Sequence, residues 1–417
     1  MEKALLVTVR IKYSKGQWDI EDIAHELEEL VTTSGPEVID NIHCSIEKPT
    51  PNFFIGSGKA NELASLAQEE GADVVIFSCD LSGVQQRNLE EVIRIKTIDR
   101  TQLILDIFAR HAKSPVGKTQ VALAQLQYLS PRLIGKGLIL SRTGGGIGTS
   151  GLGEQRLEID RRIIRKKIDR LKADLKAYEY QRATQKKKRQ DKPFPAVALV
   201  GYTNAGKSTL LNALTQAGQV VADSLFTTLD PLSRVLQLPG GEQIVLSDTV
   251  GFLNDLPHHL IEAFKATLEE VRDAQLLIHV LDVNHPRVYE HSKAVYDVLK
   301  QLGAHEKPII TALNKIDLLE DKTQLDRLIR DFPNPTPISA KFKQNFDLLF
   351  KEIEKNFTGS MVKLDIVIPH NRMDLVDLFY REGKVISIEY LQKGISIKLN
   401  LPKILAEKLA QKGIIKG

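Results

Sequence analysis

The segment AVALVGYTNAGKSTLLNAL, residues 196–214, decides how this chain is read. Ala196–Val200 fits a short buried strand, and the apolar spacing of Thr209–Leu214 fits a helix. Between them stands Gly201-Tyr202-Thr203-Asn204-Ala205-Gly206-Lys207-Ser208, the pattern G-x-x-x-x-G-K-S in the strand–loop–helix setting it requires. Its glycines let successive backbone N–H groups turn inward and form a nest for an anion. Lys207 adds a positive charge for the β- and γ-phosphates of a nucleotide, and the Ser208 hydroxyl can ligate Mg²⁺.

The companion parts follow in order. Ile244–Leu246 is strand-like and leads to Asp248-Thr249-Val250-Gly251. A carboxylate at a strand end can hold the metal through its water shell, and the Gly251 N–H can contact a γ-phosphate. Between them, Phe226-Thr227-Thr228-Leu229-Asp230 offers two hydroxyls. One of these completes the Mg²⁺ shell only when a γ-phosphate is present, so this loop can switch. Ile309–Leu313 then leads into Asn314-Lys315-Ile316-Asp317. The Asp317 carboxylate can accept two hydrogen bonds from the guanine N1–H and 2-amino group, donors that adenine lacks. Lys315 can lie over the base plane. Ser339-Ala340-Lys341 closes the base site, with the Ala340 N–H near guanine O6. Together these parts imply a domain that binds GTP.

Hydrolysis departs from the Ras-like scheme, in which a glutamine after D-x-x-G orients the attacking water. Here that place is taken by Phe252, so no residue is assigned the catalytic role and slow intrinsic turnover is expected. Asn204 has two readings. It either shapes the loop or helps bind potassium, which several GTPases with an apolar residue after D-x-x-G use like an arginine finger.

Charge says where to look for a partner. The 417 residues carry 57 Lys+Arg and 53 Asp+Glu, a formal net charge of +4. Residues 155–190 alone hold 14 Lys/Arg against 5 Asp/Glu, so the rest of the chain is net acidic. Within that stretch Leu157, Ile164, Ile168, Leu171, Leu175 and Tyr178 form a heptad seam, so the charge sits on an amphipathic helix, expected to pair with a helix over 118–129. A polyanionic partner fits this distribution, and a solvated helix face is the plainer alternative. Two cysteines are too few for a disulfide framework, and a reducing cytoplasm fits best. No apolar run approaches the ~18 residues that cross a bilayer.

The expected fold class is α/β, in four parts. Residues 1–95 read as an N-terminal α/β domain, with strands at Ala4–Ile11 and Ala72–Ser78 and helices at Ile20–Leu30 and Lys59–Glu70. Residues 96–192 read as a long helical hairpin with a glycine-rich loop, and 193–361 as a P-loop domain on a mostly parallel sheet. Residues 362–417 read as a small basic βαββα domain with a hairpin turn at Lys393-Gly394. Gly146–Gly151 satisfies G-x-G-x-x-G but lacks a long buried strand before it. Gly56-Ser57-Gly58-Lys59 reads as a tight turn before a helix, with a secondary nucleotide site as the alternative. His258 and His259 read as surface or packing residues.

Nearly the whole length resembles the HflX family of translational GTPases. The resemblance rests on DRTQLILDIFARHA (99–112), QVALAQLQYL (120–129), GGGIGTSGLGEQRLEIDRR (144–162), LFTTLDP (225–231), DTVGFLNDLPHHL (248–260) and FKATLEE (264–270). It implies Ser208 and Thr228 as magnesium ligands, with Asp248 acting through water. It implies a large-ribosomal-subunit partner, with rRNA facing the N-terminal domain and the hairpin, and a role in splitting, rescuing or recycling ribosomes. Gly144, Gly148, Arg156, Lys186, Lys187, Lys188 and Arg189 are the candidate RNA contacts. DNA is not a partner; a monomer in the cytoplasm on ribosomes is expected, with peripheral membrane association left open. The chain departs from the family at Ser150 and Leu152, where arginine and proline are usual, and at Asn254, commonly an arginine. A nucleotide-switched RNA-binding or chaperone-like factor with incidental hydrolysis is the alternative function.

Overall fold

The computed structural model describes residues 2–13, 18–132, 150–189, 194–215, 232–255, 257, 260, 268–319, 321–357, 361–392, 394–402, 405–406, 409–410 and 414. The chain divides into two compact units, one built on Met1–Lys188, the other on Arg189–Val221, Pro231–Asp255 and Thr267–Gly417.

The first unit starts as β1 (Lys3–Ile11), α1 (Ile20–Ser34), β2 (Glu37–Ile46), α2 (Ser57–Glu69), β3 (Val74–Phe77), α3 (Gly83–Ile93) and β4 (Lys96–Ile98). The four strands form a parallel sheet in the order β2-β1-β3-β4. Both faces of its centre are covered, so the successive residues Leu5 and Leu6 and their neighbours Val75 and Ile76 are all buried. Gly56 caps α2 and Ser57–Lys59 are already its first turn, so the segment expected as a tight turn before a helix is instead the helix's own N-terminus. Then come α4 (Arg100–His111), α5 (Pro115–Arg132) and the 40-residue α6 (Ser150–Arg189). On α6, Ile164, Ile168, Leu171, Leu175 and Tyr178 are half-buried, whereas the residues between them are exposed, so the seam is a real stripe.

One buried network fixes the end of α5. The Asp99 carboxylate, wholly buried, accepts from the Tyr128 hydroxyl at 2.7 Å, from Arg132 Nη2 at 3.0 Å and from the Leu81 and Gln102 N–H groups. The Arg132 guanidinium also lies over the Tyr128 ring, 3.4 Å from its centroid. Burial raises the Asp99 carboxyl above the usual carboxylate range, partly offset by its hydrogen bonds.

The second unit runs β5 (Ala196–Gly201), α7 (Lys207–Thr215), β6 (Leu232–Gln237), β7 (Gln243–Asp248), α8 (Glu269–Asp273), β8 (Leu276–Asp282), α9 (Val288–Gln301), β9 (Ile309–Asn314), α10 (Lys322–Asp331), β10 (Pro335–Pro337) and α11 (Phe346–Asn356). Its six-stranded sheet has the order β10-β9-β8-β5-β7-β6, parallel except for β6. From β7 the chain crosses to β8 on the other side of β5, so β5 is where the winding reverses. Ligands of such sheets bind outside the carboxyl ends of the strands at that reversal. Val197, Leu199, Leu246, Ile278 and Ile310 form the core beneath it.

The unit ends in β11 (Met361–Ile368), α12 (Met373–Glu382), β12 (Lys384–Leu391) and β13 (Gly394–Pro402), an antiparallel sheet ordered β11-β13-β12 and packed on Phe379. Residues 405–406 and 409–410 are helical. The expected α/β class holds in each unit. Among the described residues no helix is long and apolar enough to cross a membrane.

Candidate functional site

Four strand ends supply the site: Gly201 closes β5, Asp248 closes β7, Asp282 closes β8 and Asn314 closes β9. The chain must pass closely between strands here. A Cβ on Gly201 would lie 2.5 Å from the Val280 carbonyl oxygen. Gly206 has φ +95°, and a Cβ there would overlap Asn314 Nδ2. Asn204 takes φ +60°, a region asparagine tolerates better than most residues.

Lys207 opens α7 with its ammonium folded back into the loop. Its Nζ donates to the Gly201 and Tyr202 carbonyls at 3.1 and 2.7 Å. Burial pushes this ammonium down to about 8, with Asp248 pulling the other way. Next to it, Ser208 Oγ donates to Asp248 Oδ2 at 2.6 Å. Asp248 is wholly buried, and Thr249 Oγ1 anchors the strand end by donating to the Leu199 carbonyl at 2.6 Å. A hydroxyl and a carboxylate side by side, both hard oxygen donors, fit a magnesium ion.

The segment after Asp248 is bound to the phosphate loop by its backbone. Thr203 N–H donates to the Phe252 carbonyl at 2.9 Å, and Phe252 N–H donates to the Gly201 carbonyl at 3.1 Å. Between them Gly251 is pressed so close that a Cβ would lie 2.7 Å from Thr203 Cγ2 and 3.1 Å from Lys207 Nζ. The Phe252 ring is 1% exposed, so it is a core residue. Asn254 N–H donates to the Tyr202 hydroxyl at 2.8 Å. The Tyr202 ring in turn stacks on His291 of α9, with centroids 3.7 Å apart and planes 3° apart. Burial and the nearby His285 and Arg287 hold His291 neutral, pushed down to about 3.

The base end is built around Asn314. Its Nδ2 donates to the Ala205 carbonyl and its Oδ1 accepts the Ala340 N–H, both at 2.9 Å. Lys315 sits at φ +66° with Nζ 2.7 Å from Asp282 Oδ2. Ile316–Leu318 is a 3₁₀ turn that carries a half-buried Asp317. Ser339 and Ala340 are buried, and Ser339 Oγ accepts the Phe342 N–H at 3.2 Å, shaping the loop that ends in exposed Lys341.

The structure therefore brings together residues 201–208, 248–251, 314–317 and 339–341 of the expected set. Phe226–Asp230 with Thr228, as well as Gly144, Gly148, His258 and His259, lie outside the described residues. Arg156 and Lys186–Arg189 lie on α6, and their side chains are not among those described. Sequence reasoning missed His291 and Asp282. The available signal for Asp282 was a carboxylate closing an apolar strand, the same signature that marked Asp248.

A phosphate nest, a serine–aspartate pair and an asparagine-centred base loop at the switch point of this sheet define a P-loop GTPase domain. Family comparison agrees. Residues 196–315 match the model described as 50S ribosome-binding GTPase, 21–109 the GTP-binding GTPase N-terminal model and 111–189 the GTP-binding GTPase middle region. The chain is 46% identical over 389 residues to GTPase HflX of Caldanaerobacter subterraneus subsp. tengcongensis, covering 93% of this chain and 90% of that one. It is 42% identical to GTPase HflX of Lacrimispora saccharolytica, covering 98% and 96% respectively, and 42% identical to that of Escherichia coli K12, covering 96% and 93%. The chain belongs to the HflX family of GTPases, as its resemblance implies, and is a GTPase.

Proposed function

We propose that this chain is a GTP hydrolase whose nucleotide state controls its docking on the large ribosomal subunit, where it splits, rescues or recycles ribosomes. The observation that supports this best is the Ser208–Asp248 contact. It brings the phosphate loop and the start of the D-x-x-G segment within one hydrogen bond, so a change at the γ-phosphate reaches both. The 50S ribosome-binding GTPase match supports the partner.

In this reading Gly201–Ser208 cradles the phosphates, Asp317 selects guanine and Lys315 covers the base. Ser208 and Thr228 would hold magnesium directly, and Asp248 through water. When bound, magnesium would supply charge neutralisation for the phosphates. Gly251 N–H meets the γ-phosphate, and Thr228 responds to it. With Phe252 in the core, the group that orients water comes from the ribosome or elsewhere in the chain. Asn204 helps bind potassium; equal turnover in sodium and potassium buffers refutes that part. The glycine-rich loop, with Gly144 and Gly148, and the basic helix, with Arg156 and Lys186–Arg189, face rRNA. The protein acts as a cytoplasmic monomer with four domains, bounded at 95, 192 and 361.

The test is sedimentation with purified large subunits in GTP, a non-hydrolysable GTP analogue and GDP. Binding with the analogue and release with GDP are expected. Equal binding in all three states overturns the switch. Replacing Asp317 by asparagine should move preference toward xanthosine triphosphate, and retained GTP preference refutes the base-site assignment.

A further inference from the structure

We infer that Asp282 is a positioning residue for nucleotide binding: its carboxylate presets the Lys315 ammonium over the guanine site. Lysine is a poor choice for a fixed lid. Its stem turns about four bonds, and ordering it on binding weakens the affinity gained. Here the ordering is done in advance. Lys315 Nζ lies 2.7 Å from Asp282 Oδ2, with both side chains largely covered at 26% and 17% exposure.

The carboxylate is itself held. Asp282 ends β8 in register with Asn314 of β9, the residue before the lysine. Its Oδ1 accepts the Asn284 N–H at 3.0 Å, leaving Oδ2 for the lysine. The Val283 N–H donates to the Asn314 carbonyl at 3.0 Å, which fixes the spacing of the two backbones. Lys315 enters the left-handed region at φ +66°, and its carbonyl accepts the Leu318 N–H at 3.0 Å. A non-glycine residue in that region is held by its surroundings. Backbone and side chain are thus both fixed at one point beside Asp317.

Because Lys315 covers the base and touches no reacting atom, presetting it helps substrate and transition state alike. Its loss raises KM and leaves turnover at saturation alone. This inference rests on Lys315 covering the base, as proposed above.

The test uses the full chain and five proteins: wild type, Asp282→Asn, Asp282→Glu, Lys315→Met and the double variant of Asp282→Asn with Lys315→Met. Expected for Asp282→Asn is a rise of about tenfold in the Kd for GDP and the KM for GTP, with kcat within about twofold. Asp282→Glu should recover part of the affinity. The double variant should bind no more weakly than Lys315→Met, because the carboxylate then has nothing to hold. Additive losses, an unchanged KM, or a fall in kcat at unchanged KM each overturn the inference. If Asp282→Asn does not fold, Asp282→Glu and Lys315→Met decide: wild-type affinity in Lys315→Met overturns it. Failure of the base-site assignment is separate, since it shows as retained GTP preference in Asp317→Asn.

Discussion

The side-chain amide of Asn314 joins the phosphate loop to the base loop: Nδ2 donates to the Ala205 carbonyl and Oδ1 accepts the Ala340 N–H, each at 2.9 Å. One residue at the end of β9 therefore sets the distance between the two halves of the nucleotide site. Asn314→Ala strands a buried carbonyl and a buried N–H, at a cost of about 1–3 kcal/mol each. A lower melting temperature and weaker GDP binding are expected together. An unchanged melting temperature contradicts the bridging role.

Lys207 gives the nucleotide-free protein a pH dependence. Its folded value is about 8, against about 10.4 in an unfolded chain. Between those values the unfolded chain holds a proton that the folded chain has released, so stability rises with pH through that window. Denaturant titrations of wild type and Lys207→Met should show the rise in wild type and a flatter curve in the variant. GDP affinity should move the opposite way, falling as the ammonium loses its charge above about 8. Parallel stability curves for the two proteins would contradict this assignment.

Restoring a glutamine after D-x-x-G should fail as a repair. Phe252 is buried, and both its backbone groups pair with the phosphate loop. Phe252→Gln places an amide in the core and is expected to destabilise by about 2–4 kcal/mol. Single-turnover hydrolysis should not accelerate. A faster rate at wild-type stability would mean that the side chain reaches the nucleotide.

The paired oxygens of Ser208 and Asp248 should tie turnover to a divalent cation. Ser208→Ala removes the proposed direct ligand, and a loss of about 100-fold in turnover is expected, with a higher magnesium requirement. Chelation with EDTA should stop the wild-type reaction. A magnesium titration that superimposes for both proteins would contradict the placement.

Legibility in the sequence followed locality. The phosphate loop, Asp248–Gly251 and Asn314–Asp317 stand directly after buried strands, so each motif announces its own setting. The C-terminal strands and hairpin were legible too, because they alternate within one short stretch. β2 was not: as the outer strand of its sheet it carries Asp40, Asn41, His43 and Ser45, which break the apolar pattern. β4 has three residues and no pattern of its own. Contacts between distant positions were invisible for a different reason. Asn314 meets Ala205 across 109 positions, and the stacking of Tyr202 on His291 depends on how α9 packs, which no spacing encodes.

The basic end of α6 should make ribosome binding fall steeply with salt, in proportion to the phosphates neutralised. Replacing Lys186–Arg189 with acidic residues should weaken large-subunit binding and leave GDP affinity unchanged. Unchanged subunit affinity would make that run a solvated helix face.

The most direct measurement is steady-state GTP turnover by the full chain with and without purified large ribosomal subunits. Slow turnover alone and a rise of about 10-fold or more with subunits are expected, since Phe252 leaves the water-orienting role to another group. Turnover that is the same with and without subunits would contradict a ribosome-controlled GTPase.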